Sequence, residues 1–338
     1  MKLSDLAQML DLSVGTVSMA LNDSPMVKKE TREKVQKLVK MVNYTPSAIA
    51  RSLKTKKSKT VGILGMTIFS PYYSQLTQEI QRQLNKRGYL GLVFTSEDAD
   101  ERANAINTFV QHRVDCIMAA YPYGELLTVA KSQKIPVVIF DTASEAAADC
   151  VVVDRHKGGY LATEHLIKLG HRKIGFVCAV HETEGRVLGF RAALHDHLIP
   201  LPPEWVGQGI GSYHDGYKVM KRLLSLPERP HAVFCLNDVA ALGAMRAIGE
   251  AGLSVPDDVA VVGFDNIEES GYGYVPLTTV SQPREEIARH AVELFLRRLD
   301  NPQEDAHEKI TVDVELVIRA SCGHDKRSKT PTTAHTPS

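Results

Sequence analysis

The stretch Leu3-Ser4-Asp5-Leu6-Ala7-Gln8-Met9-Leu10-Asp11-Leu12-Ser13-Val14-Gly15-Thr16-Val17-Ser18-Met19-Ala20-Leu21-Asn22 decides the fold at the head of this chain. Leu3, Leu6, Ala7 and Leu10 fall at i, i+3, i+4 and i+7, the apolar stripe of a short amphipathic helix. Asp11-Leu12 makes a tight turn, and Ser13 is well typed to cap a second helix. That helix turns Val17, Ala20 and Leu21 inward and leaves Val14, Gly15, Ser18, Met19 and Asn22 on its outer face. A third helix after Pro25 buries Val35, Leu38, Val39 and Val42. Three helices paired in this way form a helix-turn-helix, the second helix being the reader of a DNA major groove. The same spacing also suits a small protein-interaction module.

Charge shifts the balance between the two. Residues 1–60 hold twelve Lys and Arg against five Asp and Glu, a net of +7; the remainder holds 28 against 35, a net of −7. A formally neutral chain thus carries a basic head on an acidic body, the asymmetry of a polyanion-binding head. Behind the head, Pro46-Ser47-Ala48-Ile49-Ala50-Arg51-Ser52-Leu53-Lys54 precedes a lysine-rich run to Lys59. Ser47 to Leu53 forms only about two helical turns, too short to be stable alone in water.

The body, from Lys59 onward, alternates apolar strand runs with helical segments. Val61–Ile68, Leu90–Thr95, Cys116–Ala120, Val137–Asp141, Ile174–Val180, Val233–Leu236 and Val259–Asp265 read as buried parallel strands. Between them lie helical stretches such as Tyr73–Arg87, Lys157–Leu169, Tyr213–Leu224, Asp238–Ala251 and Arg284–Arg298. The fold class is therefore a small all-α helix-turn-helix head plus an α/β body of doubly wound parallel sheets in two lobes, divided near Asp154. At 338 residues, 43% hydrophobic and 24% charged, the composition is that of an ordinary globular protein of this size. No apolar run reaches membrane-spanning length, and Met1-Lys2-Leu3-Ser4-Asp5 enters the helix without a signal peptide, so a cytoplasmic location is expected. Cys116, Cys150, Cys178, Cys235 and Cys322 lack metal or disulfide spacing and read as reduced core residues. No cofactor or metal is expected. Residues 323–338 bury almost nothing and read as a disordered tail.

A cleft at the carboxyl ends of parallel strands also suits an enzyme. No dinucleotide or phosphate loop, nucleophile elbow or metal-ligand spacing is present. Gly209-Ile210-Gly211 is a lone glycine pair, read as a strand end. Catalysis is therefore unsupported.

Leu12–Asn22, Glu30-Thr31-Arg32-Glu33-Lys34-Val35, Asn43-Tyr44-Thr45-Pro46 and Ala48–Leu53 resemble the head and hinge of the lactose-repressor (LacI/GalR) family. The similarity continues to about Ser321, through Thr163-Glu164-His165-Leu166, Val255-Pro256-Asp257-Asp258-Val259, Val262-Gly263-Phe264-Asp265 and Pro276–Pro283. It implies a periplasmic-binding-protein-like body and a regulator, most simply a repressor. It implies a head over 1–45, a hinge helix and linker over 46–58, a first lobe of 59–154 plus 283–308, and a second of 155–282 plus 309–322. Within that second lobe the segment Ile310–Ile318 is expected as one strand.

The resemblance also assigns residues. Val14, Gly15 and Met19 fall at base-facing positions, with Ser18 on the same face. Ser13, Thr16 and Asn22 fall at phosphate-facing ones, and Tyr44 joins the DNA-binding set. Met19 and Gly15 depart from the polar side chains of many relatives, so readout shifts toward apolar contact and DNA shape, the alternative for Met19 being that it packs on the head's own core. In the hinge, Leu53 would wedge between base steps of the minor groove. Ser47 would open the hinge helix, Ala50 allow close helix approach, Arg51 join the hinge packing or reach the backbone, and Lys54 reach groove or phosphate. Phe69, Tyr72, Tyr73, Asp141, Asp154, Arg186, Asn237 and Asp265 are nominated for a small effector. An aromatic platform ringed by acid, amide and guanidinium groups suits a sugar, and the aromatic that purine-responsive relatives offer near Gly211 is missing. Double-stranded DNA with a pseudo-palindromic operator, and a homodimer to read it, are the expected partners. The alternative is a sugar-binding or sugar-modifying protein with a vestigial head.

Overall fold

Leu6, Val17, Ala20 and Val35 lose all exposure to water where three short helices meet, and that small core holds the head. The computed structural model describes residues 2–44, 57–96, 98–141, 148–181, 184–301 and 306–323. Ser47, Ala50, Arg51, Leu53 and Lys54 of the expected hinge lie outside the described residues, as does the tail from residue 324. The chain divides into two units, Met1–Lys59 and Thr60–Ser338.

In the first unit, helices α1 (Leu3–Met9), α2 (Val14–Leu21) and α3 (Lys29–Met41) follow the expected order. Asp11 takes a left-handed backbone (φ 51°) to turn α1 into α2. The Ser13 side chain then caps α2 by accepting the Thr16 N–H at 3.0 Å. Between α2 and α3, the Arg32 guanidinium donates to the carbonyls of Ser24 (2.9 Å) and Val27 (3.2 Å). A connection too short to form regular structure is thereby fixed by a side chain from the next helix.

The second unit holds two six-stranded sheets. The first combines β1 (Thr60–Gly65), β2 (Leu90–Thr95), β3 (Cys116–Ala119), β4 (Val137–Asp141), β5 (Asp149–Val153) and a late strand, β11 (Lys309–Val312). Its order is β11-β5-β4-β3-β1-β2 and every pairing is parallel. The helices α4 (Pro71–Lys86), α5 (Ala99–Gln111) and α6 (Gly124–Gln133) connect it. The second sheet combines β6 (Ile174–Ala179), β7 (Val206–Gln208), β8 (Ala232–Cys235), β9 (Ala260–Asp265), β10 (Thr278–Ser281) and β12 (Glu315–Val317). Its order is β12-β10-β9-β8-β6-β7, with β12 antiparallel to β10. Its helices are α7 (Arg155–Lys168), α8 (Gly185–Asp196), α9 (Tyr213–Leu224), α10 (Asp238–Glu250) and the short α11 (Glu268–Tyr272). The chain crosses between lobes after β5, after β10 through α12 (Arg284–Asp300), and after β11. All five cysteines are buried.

One expected boundary is corrected. Ile310–Ile318 is two strands in different lobes, so residues 309–312 belong to the first sheet and not to the second lobe. Lys309 to Val312 pair in parallel register with Cys150 to Val153, while Glu315 to Val317 pair antiparallel with β10. Alternating side chains continue through Asp313, and no Gly or Pro marks the crossing. Asp313 instead meets Lys157 at 2.8 Å, at the start of α7.

Two glycines set how closely α7 and α8 approach beside the first crossover. A Cβ on Gly189 would collide with the carbonyl oxygen of His156, and one on Gly159 with that of Arg186. Gly189→Ala is therefore expected to destabilise the body by about 1–3 kcal/mol, seen as a lower urea midpoint at unchanged slope. Gly249 in α10 has open space around its missing Cβ. Gly249→Ala should shift the midpoint the other way, by up to about 1 kcal/mol, from helix propensity alone. Equal effects of the two substitutions would refute the close-approach argument.

Candidate nucleic-acid interface and effector cleft

On the head, α2 presents Ser13, Val14 and Gly15 to solvent, with Val14 48% exposed. The nearest atom to a Cβ on Gly15 would be Ser13 Oγ at 3.6 Å, ordinary contact distance. The head's own packing thus does not require glycine there. Ser13 Oγ also lies 2.9 Å from Thr16 Oγ1, and the Asn22 amide donates to the Ser18 carbonyl at 2.8 Å. These side chains are held in fixed positions by their own helix, at its two ends. Met19 departs from the expectation of an outward residue: it is half-buried and packs on the head's core, as does Tyr44. Its long flexible stem reaches the apolar seam that a shorter side chain would leave open.

In the body, four of the nominated residues converge. Asp141 ends β4 and Asp265 ends β9, each with a left-handed backbone (φ 80° and 113°) and each buried. The Tyr73 hydroxyl donates to Asp141 Oδ2 at 2.9 Å, and the Arg155 guanidinium donates to the same oxygen at 2.8 Å. The Tyr72 hydroxyl lies 2.9 Å from Asp141 Oδ1 and 3.0 Å from Gln282 Oε1. Gln282 Nε2 in turn donates to Asp265 Oδ1 at 2.6 Å. The centre of the cleft is thus closed on itself by hydrogen bonds that run from the first lobe through the first two crossovers to the second.

Burial dominates the electrostatics here. It pushes the Tyr72 and Tyr73 hydroxyls well above their ordinary range, and the Asp141 charge adds to it. Burial weighs against the Arg155 charge, but Asp141 and the two tyrosines outweigh it, and the guanidinium's pKa is raised overall. Burial likewise pushes Asp265 up to about 7, the nearby Arg186 opposing and Asp141 adding to the rise.

The strained Asp265–Asn266 turn is held from several sides. Arg284 donates to the carbonyls of both residues (2.9 and 3.2 Å), and Arg319 donates to Asn266 Oδ1 at 2.7 Å. The fully buried Asp238 accepts the Ile267 N–H at 2.9 Å and the Thr279 hydroxyl. Left-handed backbone at such residues costs on the order of 1–3 kcal/mol each, so these ties are what keep it.

The other nominated residues divide. Arg186 borders the network, its guanidinium 5.0 Å from the Phe264 ring, bonded to Glu184 (2.9 Å) and to the Leu236 carbonyl (2.9 Å). Asp154 caps α7 by accepting the Lys157 N–H, and Asn237 caps α10 by accepting the Ala240 N–H, each at 2.8 Å. Asn237, and not the neighbouring Asp238, therefore caps α10. Phe69 stands 87% exposed, outside the network. Arg155, Gln282, Glu184 and Arg284 were missed. For Arg155 and Gln282 a signal existed, because both sit at crossovers between lobes. Beside the network opens a cavity of about 620 Å³, lined on its rim by Gln75, Asn266, Tyr272, Arg284 and Arg319 among others.

Asp141 retains 1% of its exposure, so its charge depends on Arg155. Arg155→Met is expected to cost about 3–5 kcal/mol in urea unfolding, because it strands a buried carboxylate. A loss near the 0–1 kcal/mol of a surface pair would show that water reaches Asp141.

Two family models match the chain: "Bacterial regulatory proteins, lacI family" over residues 2–47 and "Periplasmic binding protein-like domain" over 163–322. The HTH-type transcriptional repressor PurR of Haemophilus influenzae is 37% identical over 330 residues, covering 94% of this chain and 98% of the relative. The repressor of the same name from Mannheimia succiniciproducens is 36% identical over 327 residues, covering 94% and 98%. Among solved structures, the Lac repressor dimer bound to operator and the anti-inducer ONPF superposes with a TM-score of 0.85 at 26% identity. It spans 95% of this chain and 99% of that one. A CelR–cellobiose complex gives 0.72 at 26% identity over the same shares. The curated relatives are repressors and not enzymes. With head and body both matched at nearly full length, the chain belongs to the lacI family of bacterial regulatory proteins and is a DNA-binding transcriptional repressor.

Proposed function

We propose that this repressor binds a pseudo-palindromic operator as a homodimer and that a small polyhydroxyl ligand, a sugar, entering between the lobes changes its operator affinity. The observation that carries the ligand reading is the convergence of Asp141 and Asp265, one from each lobe, on a single hydrogen-bonded network. A ligand shifts such a body only by binding its open and closed arrangements unequally. Groups spanning both lobes are what make the two arrangements differ. Asp265, Arg186 and the Asn237 amide lie in the second lobe and would hold the ligand first, with Tyr73 and the exposed Phe69 closing from the other side. Sugars are favoured because carboxylate and guanidinium groups pair well with adjacent hydroxyls. Two similar solved structures carry them: the CelR–cellobiose complex, and a LacI-family regulator from Enterococcus faecium with bound ribose.

For DNA, Val14 and Gly15 would face bases, with Met19 contributing its exposed part. Ser13, Thr16 and Asn22 would fix the head on the backbone, with Ser18 on the base-facing side and Tyr44 completing the DNA-binding set. Leu53, with Ser47, Ala50, Arg51 and Lys54 around it, would wedge the minor groove from the hinge. The second copy has surface to bury: Tyr272 and Tyr274 on the second lobe are 84% and 104% exposed, and edge strand β2 shows Leu90 and Val93.

Log affinity for operator should fall linearly with log salt, its slope counting the phosphates neutralised. Leu53→Ala should keep that slope and reduce the bend measured by circular permutation. A bend equal to wild type would remove the wedge. Calorimetry against mono- and disaccharides, nucleosides and purine bases tests the ligand. A sugar should bind, and Asp265→Ala or Arg186→Ala should weaken it at least tenfold, since each strands hydroxyls worth about 1–3 kcal/mol. Binding of a purine with no sugar would overturn the sugar reading.

A further inference from the structure

We propose that closing the two lobes takes up one proton, shared along the chain Asp141–Tyr72–Gln282–Asp265. The argument is a count of hydrogens. Three close oxygen or nitrogen contacts link the four side chains: Asp141 to Tyr72 at 2.9 Å, Tyr72 to Gln282 at 3.0 Å and Gln282 to Asp265 at 2.6 Å. With both carboxylates ionised, only two hydrogens are available to these contacts. The Tyr72 hydroxyl supplies one and the Gln282 amide the other.

Turning the amide over does not help. In the orientation described, Gln282 serves Asp265, and the Tyr72 hydrogen serves either Asp141 or Gln282 but not both. In the reverse orientation, Gln282 serves Tyr72 and Tyr72 serves Asp141, which leaves two bare oxygens facing each other at 2.6 Å. Either way one contact is empty, at a buried site where an unpaired oxygen is costly. One proton from solvent fills it, on Asp265 in the reverse orientation or on Asp141 in the other.

Asp265 is the better seat. Asp141 already accepts Arg155 and Tyr73 on its other oxygen. No cation among the described residues lies in hydrogen-bond contact with the Asp265 carboxyl. The charged and titratable groups that face Asp265 are Arg186 from α8, paired with Glu184; Asp141 from β4; Arg155 from α7; and Tyr72 and Tyr73 from α4. Asp238 from α10 also faces it, and Arg284 from α12 binds its carbonyl. Burial together with these groups raises its pKa to about 7.

The sign follows. With the lobes apart, Asp265 meets water and returns toward an ordinary carboxylate value near ~3.9. Protonation therefore favours the closed arrangement. The full contribution is present below that ordinary value and is lost as pH rises through about 7. As regulation, this rests on reading the cleft as the effector cleft; the hydrogen count does not.

The full chain, labelled with ¹³C at aspartate carboxyls, is titrated by NMR, with Asp265 assigned by its loss in Asp265→Asn. A midpoint near 7 is expected. In Tyr72→Phe two of the three contacts vanish and Gln282 satisfies Asp265 unaided, so the midpoint should fall by at least a unit. Tyr73→Phe, outside the chain of contacts, should move it much less. Burial alone would leave the midpoint in place or higher in Tyr72→Phe, and that result would overturn the proposal, as would an ordinary wild-type midpoint. Should Tyr72→Phe fail to fold, X-ray scattering of the full chain decides. Its radius should grow between pH 6 and 8.5 in wild type and stay small in Asp265→Asn, whose amide carries the missing hydrogen permanently. A wild-type radius that does not change with pH would sink the idea. An empty calorimetric panel would leave the proton count standing, and an ordinary Asp265 titration would leave the ligand reading standing.

Discussion

A carboxylate that keeps 1% of its exposure must be paid for with partners, and Asp141 draws the body together to find them. Its strand ends in a left-handed turn at Asp141 itself. Two tyrosines come from α4 of the same lobe. The cation comes from Arg155, fourteen residues on, across the first crossover. Remove the cation and the charge is left in a medium too poor to hold it. The positions of α4, of the crossover and of the start of α7 are all fixed by that one requirement.

The placement of strong and weak contacts is then informative. The ion pair joins the end of β4 in the first lobe to the start of α7 at the first crossover. Toward the second lobe the links become a phenol, an amide and a carboxyl, each worth only about 0.5–1.5 kcal/mol net. A body meant to switch needs this ordering. An ion pair at the moving edge would hold one arrangement against any small ligand, whereas neutral links leave the gap within reach of a few kilocalories of differential binding.

The sequence carried the head almost completely, because Ser13, Val17, Ala20 and Val35 act through local spacing and caps. The parallel strands were equally plain as strands, but Leu90–Thr95, read as buried, is the partly exposed edge strand β2, with Leu90 and Val93 open to solvent. The network was not plain. Arg155 and Gln282 owe their roles to contacts 14 and 210 residues away, and no local pattern encodes those distances. Asp154, Asn237 and Asp238 show the converse. Three polar residues at strand ends look alike in sequence, yet two cap helices while the third is buried as a tie for the turn beyond β9. Ile310–Ile318 failed for another reason. Alternation describes a strand without saying which sheet it joins, and the chain changes lobes at Asp313 without breaking the pattern.

Met19 shows how far such reasoning reaches at an interface. Helical spacing put it on the outer face, and its side chain nonetheless bends back onto the head's core. Gly15 beside it leaves a flat, unhindered patch that the fold itself does not require. In the proposed reading, a helix that meets DNA through Val14, Gly15 and only the exposed part of Met19 presents methyl groups and bare backbone. Such a surface approaches the groove closely but gains little from hydrogen bonds to base edges. On that reading, discrimination rests on the width and bendability of the duplex more than on hydrogen bonds to base edges.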